Sequence, residues 1–226
     1  MYSWDNKNTS TGAETAYGKN DWTDARLMKL LNPGYESETT GGSLYYNSKS
    51  GNCYYGQNNA TTACNFTSTG IKNDITRNLI SDTTYYLGGH NNSSVYPNQI
   101  YEYERGGTVY SGRPTTWQGK IALPYPSDYG YAVDLSKCGQ NLYGYNNNTC
   151  RSNNWMKTII APNVSWLLTP YSGNEGSAWS VGSSSYVFYG DFAYYANVVA
   201  PVLYLGSELN IKAGTGSSLE PYQLSA

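Results

Sequence analysis

Trp166-Leu167-Leu168-Thr169-Pro170 and Pro201-Val202-Leu203-Tyr204-Leu205 are apolar runs of strand length, and the residues between them decide how the chain reads. Ala178-Trp179-Ser180-Val181 is a third such run; the remainder is dominated by Gly, Ser, Tyr, Phe, Asn and a single Asp. Residues 165–169, 178–181, 186–189 and 201–205 are therefore predicted to be antiparallel strands of one sheet, with Trp166 and Leu203 buried. The apolar runs form a frame, and the middle is what the frame presents. Ser183-Ser184-Ser185, Gly190-Asp191 and Asn197 favour turns, while Tyr186, Phe188, Tyr189, Phe192, Tyr194 and Tyr195 are too many rings for one buried face. Tyr mixed with Ser, Gly and Asn is the composition of a binding surface, because Tyr gives stiff, amphipathic contact area and the small residues adapt. The predicted ligand site is thus Tyr171, Ser183, Ser185, Tyr186, Phe188, Tyr189, Asp191, Phe192, Tyr194, Tyr195 and Asn197. The rings serve as anchors and Asp191 is the polar contact that fixes orientation. Their cluster is expected to face solvent, on the side opposite a helix at 21–31.

The 226 residues suffice for one sizeable core. The reading is a single domain over 1–226, with 1–20 a linker or first strand and 171–200 the ligand-facing region. A net charge of -2 with Lys and Arg scattered singly offers no stripe for phosphates, so no nucleic-acid partner is expected. Charged residues are only 13% and Tyr numbers 25, so solubility rests on Asn, Ser, Thr and Gly, as in secreted or surface-displayed proteins. No apolar run reaches membrane-spanning length and no signal peptide is present; membrane attachment is expected only through a segment absent from this chain.

Cys53 and Cys64 flank one polar interval and Cys138 and Cys150 another. Four cysteines allow three pairings. Pairing 53–64 with 138–150 closes each loop locally, each bridge contributing about 3 kcal/mol by restricting the unfolded chain, and implies an oxidising compartment. The only histidine, His90, stands alone and no Cys-x2-Cys spacing exists, so no transition metal and no cofactor is expected.

Along the chain, 21–31 reads as a helix capped by Asp21 or Thr23, stopped by Asn32-Pro33-Gly34, with Leu27, Leu30 and Leu31 inward. Residues 35–70 read as irregular. A helix over 70–80 carries Ile71, Ile75 and Leu79 on one stripe. Residues 83–87 and 100–105 have strand composition and are expected to neighbour each other, with Glu102 and Glu104 on one solvated face. An apolar strand ends at Pro124, and Ser127 caps a short helix with Tyr129, Ala132 and Val133 inward.

Four resemblances add to this. Leu123-Pro124, Ser127-Asp128-Tyr129 and Tyr131-Ala132 resemble the strand-to-helix corner of formylglycine-generating-enzyme-like domains, a branch of the C-type lectin fold. Residues 166–170, 178–181, 186–187 and 199–205 resemble the ending of C-type-lectin-like bacterial surface domains, although Ala200 stands where that pattern often has Arg. Residues 21–31 and 127–156 are similar to globular heads carried behind prepilin-type N-termini in gut bacteria. The implied fold is α+β, C-type-lectin-like, with small antiparallel sheets, two or three short helices and long irregular loops. The window 180–200 contains no Lys, Glu, Gln, Met or Trp, which is similar to variable proteins of diversity-generating retroelements, whose mutagenised asparagine codons cannot encode these residues. No cysteine follows Cys150, so the copper chemistry of formylglycine-generating enzymes is not implied, and the calcium-sugar triplets of true C-type lectins are missing.

The expected function is a non-enzymatic, extracellular or cell-surface domain that binds an unknown protein or glycan through the aromatic face, with diversification by a retroelement implied by the last resemblance. The alternatives are the head of a pilin-like subunit, whose Tyr-rich face packs on neighbours, and a hydrolase, for which no nucleophile–base constellation is readable.

Overall fold

The computed structural model describes residues 1–8, 18–37, 41–160, 163–217 and 219–225. The chain is mixed α and β, built from small antiparallel sheets and short helices. Its centre is a three-stranded sheet in the order β6 (Ser165–Pro170), β7 (Ser177–Val181), β8 (Val187–Phe192). Both β6 and β7 are buried along their whole lengths. The reason is in the period-two alternation of strand side chains. Trp166, Leu168 and Ala178 enter one hydrophobic cluster with Trp4, Trp22, Leu27 and Ile121. Leu167, Trp179 and Val181 enter a second with Ile100, Tyr129, Leu142 and Val187. The central strands thus have no solvent face, and their near-continuous apolar runs reflect it.

The described residues also form four two-stranded ladders: β1 (Ser50–Tyr54) with β2 (Thr61–Asn65), β3 (Thr83–Tyr86) with β4 (Thr116–Gly119), β5 (Ile121–Ala122) with β9 (Val202–Leu203), and β10 (Asn210–Ala213) with β11 (Gln223–Ser225). The final apolar run therefore leaves the central sheet and pairs with β5, where Leu203 is exposed, contrary to the expectation of one four-stranded sheet. Its pairing spans only two residues and carries no alternation that would betray the partner. Residues 35–70 are likewise not irregular, since β1 and β2 form a hairpin that Cys53–Cys64 bridges.

The described residues include six short α-helices, more than two or three: α1 (Arg26–Leu31), α2 (Asp74–Asn78), α3 (Pro97–Glu104), α4 (Pro126–Tyr131), α5 (Asn148–Ser152) and α6 (Lys157–Ile160). α2 and α5 span barely a turn each and are capped by the side chains of Asn73 and Asn147, too short for periodicity to reveal. α1 buries Leu27, Leu30 and Leu31 as expected but starts later than residue 21. Asp21 instead accepts from Thr23 N and Oγ1, making a turn that precedes the helix. α2 buries none of its residues: Ile71 lies ahead of it in the core, and Ile75 is exposed.

The predicted strand at 100–105 is helix α3. Pro97 occupies its first turn, Gln99 Oε1 accepts from Tyr96 N at 2.9 Å, and Ile100 and Glu104, four residues apart, face inward together. The strand β3 pairs with β4 instead. In α4, Tyr125 is the N-cap and Asp128 Oδ2 accepts its N–H at 2.9 Å, so Ser127 lies inside the first turn and is not the cap. Tyr129, Ala132 and Val133 are buried, as expected. At the N-terminus, Trp4 is fully buried and Tyr2 bridges Asn197, so residues 1–8 are docked; Tyr17 lies outside the described residues.

Both predicted disulfides are present, Cys53–Cys64 and Cys138–Cys150. They mark an oxidising, extracytoplasmic environment. Among the described residues, no helix is long and apolar enough to cross a membrane.

Candidate functional site

Strand β8 is an edge of the central sheet, paired among the described residues only with β7. Val187 turns into the second cluster while Phe188 through Phe192 remain half-buried. β7, its hydrogen-bonded neighbour in the sheet, is fully buried and ties β8 to the core. Phe188 lies 5.2 Å from Tyr189 and 6.5 Å from Tyr186, ring centre to ring centre. Tyr189 continues to Tyr171 at 5.2 Å and down to the buried Trp179 at 6.3 Å. Tyr186 meets Tyr143 edge-on at 6.0 Å. Five side chains, Tyr143, Tyr186, Phe188, Tyr189 and Tyr171, thus form one connected row of rings with offset and edge contacts of the kind aromatic quadrupoles favour.

Tyr143 is the member that the sequence does not indicate. It stands on a 3-10 turn, Leu142–Asn146, inside the loop closed by Cys138–Cys150, and is 55% exposed. Two tyrosines inside a short disulfide loop were the readable signal. Phe192, Tyr194 and Tyr195 form a second group, with Tyr194 and Tyr195 4.7 Å apart and Tyr195 exposed. The α1 helix packs in the first cluster, whereas Tyr189 packs against the second.

Not every predicted site residue is available at a surface. Ser183 is exposed, but Ser185 is fully buried with φ of 75° in the turn that closes when its N–H donates to Gly182 O at 2.7 Å. Asn197 is buried against Tyr2. Asp191 accepts from Ser180 Oγ and, at 3.4 Å, from Asn197 Nδ2. Burial pushes its carboxyl above the ordinary carboxylate range. Asp191 therefore ties β7, β8 and residue 197 together and is not free to orient a ligand. Behind Tyr171, the buried Asn20 donates from Nδ2 to the carbonyls of Tyr171, Asn174 and Ser177, each at 2.8 Å, and accepts from Arg113 Nε at 3.0 Å. This latch fixes the β6–β7 turn that carries Tyr171.

A second group has chemistry of its own. Glu104 is fully buried; its Oε1 accepts from Ser127 N at 2.8 Å, its Oε2 accepts from Ser127 Oγ, and Arg105 pairs with it at 3.2 Å. Burial pushes its pKa up to about 8, against the Ser127 bonds that favour the charged form. A serine hydroxyl held on a carboxylate has the form of a nucleophile–base pair, but Ser127 is buried too, so both groups are sealed between α3 and α4 and serve to join them. Arg105 then lies 3.4 Å above the Tyr101 ring. His90 stacks on Tyr103 at 4.0 Å, and desolvation lowers its pKa. Among the described residues, no group of three or more His, Cys, Asp or Glu side chains is placed to hold a metal ion.

Comparison with protein-family models, curated proteins and solved structures finds no match to this chain.

Proposed function

We infer that the chain is a non-enzymatic, cell-surface or secreted ligand-binding domain of C-type-lectin-like type, whose contact face is the ring row of β8 with Tyr143 and Tyr171. The observation that carries this reading is that five partly exposed aromatic side chains from three separate segments converge in one row along the outer strand of the central sheet. Rings that are already ordered lose little conformational freedom on contact, which is how Tyr-rich faces gain affinity. The disulfides support an extracytoplasmic setting. The partner is a protein or a glycan. Diversification within 180–200 fits the exposed Ser183 and Ser184 and the half-buried rings of β8, whereas Ser180 and Val181 lie in β7 and Ser185, Val187 and Ala193 are buried. The sealed Ser127–Glu104 pair argues against the hydrolase alternative.

The test is a screen of the purified domain against glycan arrays and extracellular proteins, run beside a Tyr143→Ala/Tyr186→Ala/Phe188→Ala variant. Hits lost in the variant at unchanged melting temperature uphold the reading. Hits retained by a folded variant overturn it. Sequencing the locus across isolates tests diversification: substitutions concentrated at asparagine-derived codons within 180–200 are expected.

A further inference from the structure

A different surface, not resting on the β8 face, is built around Trp155. Of the fully buried tryptophans, Trp4, Trp22, Trp166 and Trp179 lie inside the two clusters, yet Trp155 is 65% exposed. Its backbone is nevertheless firmly held. Trp155 N donates to Ala132 O at 3.2 Å, and Asn154 beside it is buried, bridging Val133, donating to Tyr129 O at 2.9 Å and accepting from Met156 N at 3.0 Å. The indole is therefore displayed in water from a fixed base, where contact with a ligand orders little of the backbone anew.

Trp155 forms one wall of a cavity of about 360 Å³ lined also by Asp128, Tyr131, Ala132, Met156 and Val202. Tyr131 is 48% exposed. Among the described residues, neither ring packs against another ring or a cation, so both are open to a ligand. Asp128 is the only carboxylate of the lining. Its Oδ2 accepts from Tyr125 N at 2.9 Å, and among the described residues nothing donates to Oδ1. Arg105, whose charge reaches Asp128, is itself held by Glu104 at 3.2 Å and does not line the cavity.

The lining selects a ligand class by elimination. A sugar needs several donors and acceptors around its hydroxyls, and this cavity has no amide or basic side chain. A purely apolar ligand would leave the Asp128 charge facing it without compensation. A primary ammonium is strongly hydrated and carries three donors for one available acceptor. A methylated ammonium spreads its charge over carbon-bound hydrogens, needs no hydrogen bonds, and is attracted both by aromatic faces and by one carboxylate. We propose that the Trp155–Tyr131–Asp128 cavity binds a methylated ammonium group, as carried by free choline-like solutes or by phosphocholine headgroups.

The test titrates the whole chain with tetramethylammonium, with choline and with its uncharged carbon isostere 3,3-dimethylbutan-1-ol, following the Trp155 indole N–H by NMR after assigning it with Trp155→Phe. The expected result is saturable binding of the two cations, with the isostere weaker by about tenfold or more, the ratio that one lost charge contact of ~1.4 kcal/mol gives. Trp155→Ala and Asp128→Asn are each expected to weaken the cations by a similar factor; the asparagine keeps the carbonyl that accepts Tyr125 N–H, so α4 stays capped. Phosphatidylcholine vesicles against phosphatidylglycerol vesicles separate the sources: co-sedimentation with the former assigns a lipid headgroup, and binding of the free ions alone assigns a solute. Absence of cation binding, equal binding of the isostere, or retention of affinity in a folded Asp128→Asn variant overturns the proposal.

Discussion

Replacing Glu104 by Gln isolates the cost of keeping a carboxyl group between α3 and α4. The carboxyl is fully buried, and its pKa rises from 4.5 to about 8, mainly by desolvation. A group whose folded pKa lies above its unfolded value contributes in full below the unfolded pKa and loses that contribution as pH rises. The loss begins near pH 4.5 and is complete once pH passes about 8. At ~1.4 kcal/mol per pH unit, the interval corresponds to ~5 kcal/mol. Gln is isosteric: its carbonyl accepts Ser127 N–H and its amide donates to the serine oxygen, but it does not titrate. Urea denaturation of both proteins from pH 4 to pH 9 is the assay. The two should be close in stability at pH 4, and the variant should gain on the native chain by several kcal/mol at pH 9. A difference between the proteins that stays within ~1 kcal/mol across this range, or that moves in favour of the native chain with rising pH, refutes the reasoning.

Removing the second disulfide with Cys138→Ser/Cys150→Ser should cost ~3 kcal/mol in denaturant melts, and it should weaken any ligand of the ring row by freeing Tyr143. Trp179→Ala, which empties a buried site and frees the His90 carbonyl that accepts its indole N–H at 3.3 Å, should cost ~3–5 kcal/mol in denaturant melts. Tyr143→Ala and Tyr186→Ala should each change stability by less than ~1 kcal/mol, whereas Tyr189→Ala, packed on Trp179, should cost ~1–3 kcal/mol by the same measurement. Asn20→Ala should cost ~2–3 kcal/mol by stranding buried carbonyls, and hydrogen exchange should show faster opening of the β6–β7 turn.

What the sequence reveals follows from where each signal is stored. β6 and β7 are legible because burial on both faces demands continuous apolar runs, and the cysteine pairs are legible because each loop closes locally. The Tyr-Glu-Tyr-Glu alternation at 101–104 imitates a strand; Pro97 and Gln99, read as a helix start, give the correct answer. The pairing of β9 with β5 joins residues far apart in the chain through a two-residue ladder, and no local pattern records such a choice. At the site, the aromatic composition points to the right segment, but composition does not distinguish Tyr186 at the rim from Ser185 in the interior. The exposure of Tyr143 and Trp155 is set by tertiary anchors, the disulfide loop for one and Asn154 for the other, and such anchors leave no local pattern in the sequence.

The sheet that parts the two clusters has an evolutionary consequence. β6 and β7 hold the interior on both faces and so are answerable only to folding; a change there is felt at once in stability. The outer strand and the turns beside it send Ser185, Val187 and Ala193 into the interior but leave Phe188 through Phe192 only half-buried. Substitution at the exposed positions of this margin, such as Ser183, draws little on the reserve of stability that keeps the chain folded, whereas a change at Tyr189, packed on Trp179, spends part of it.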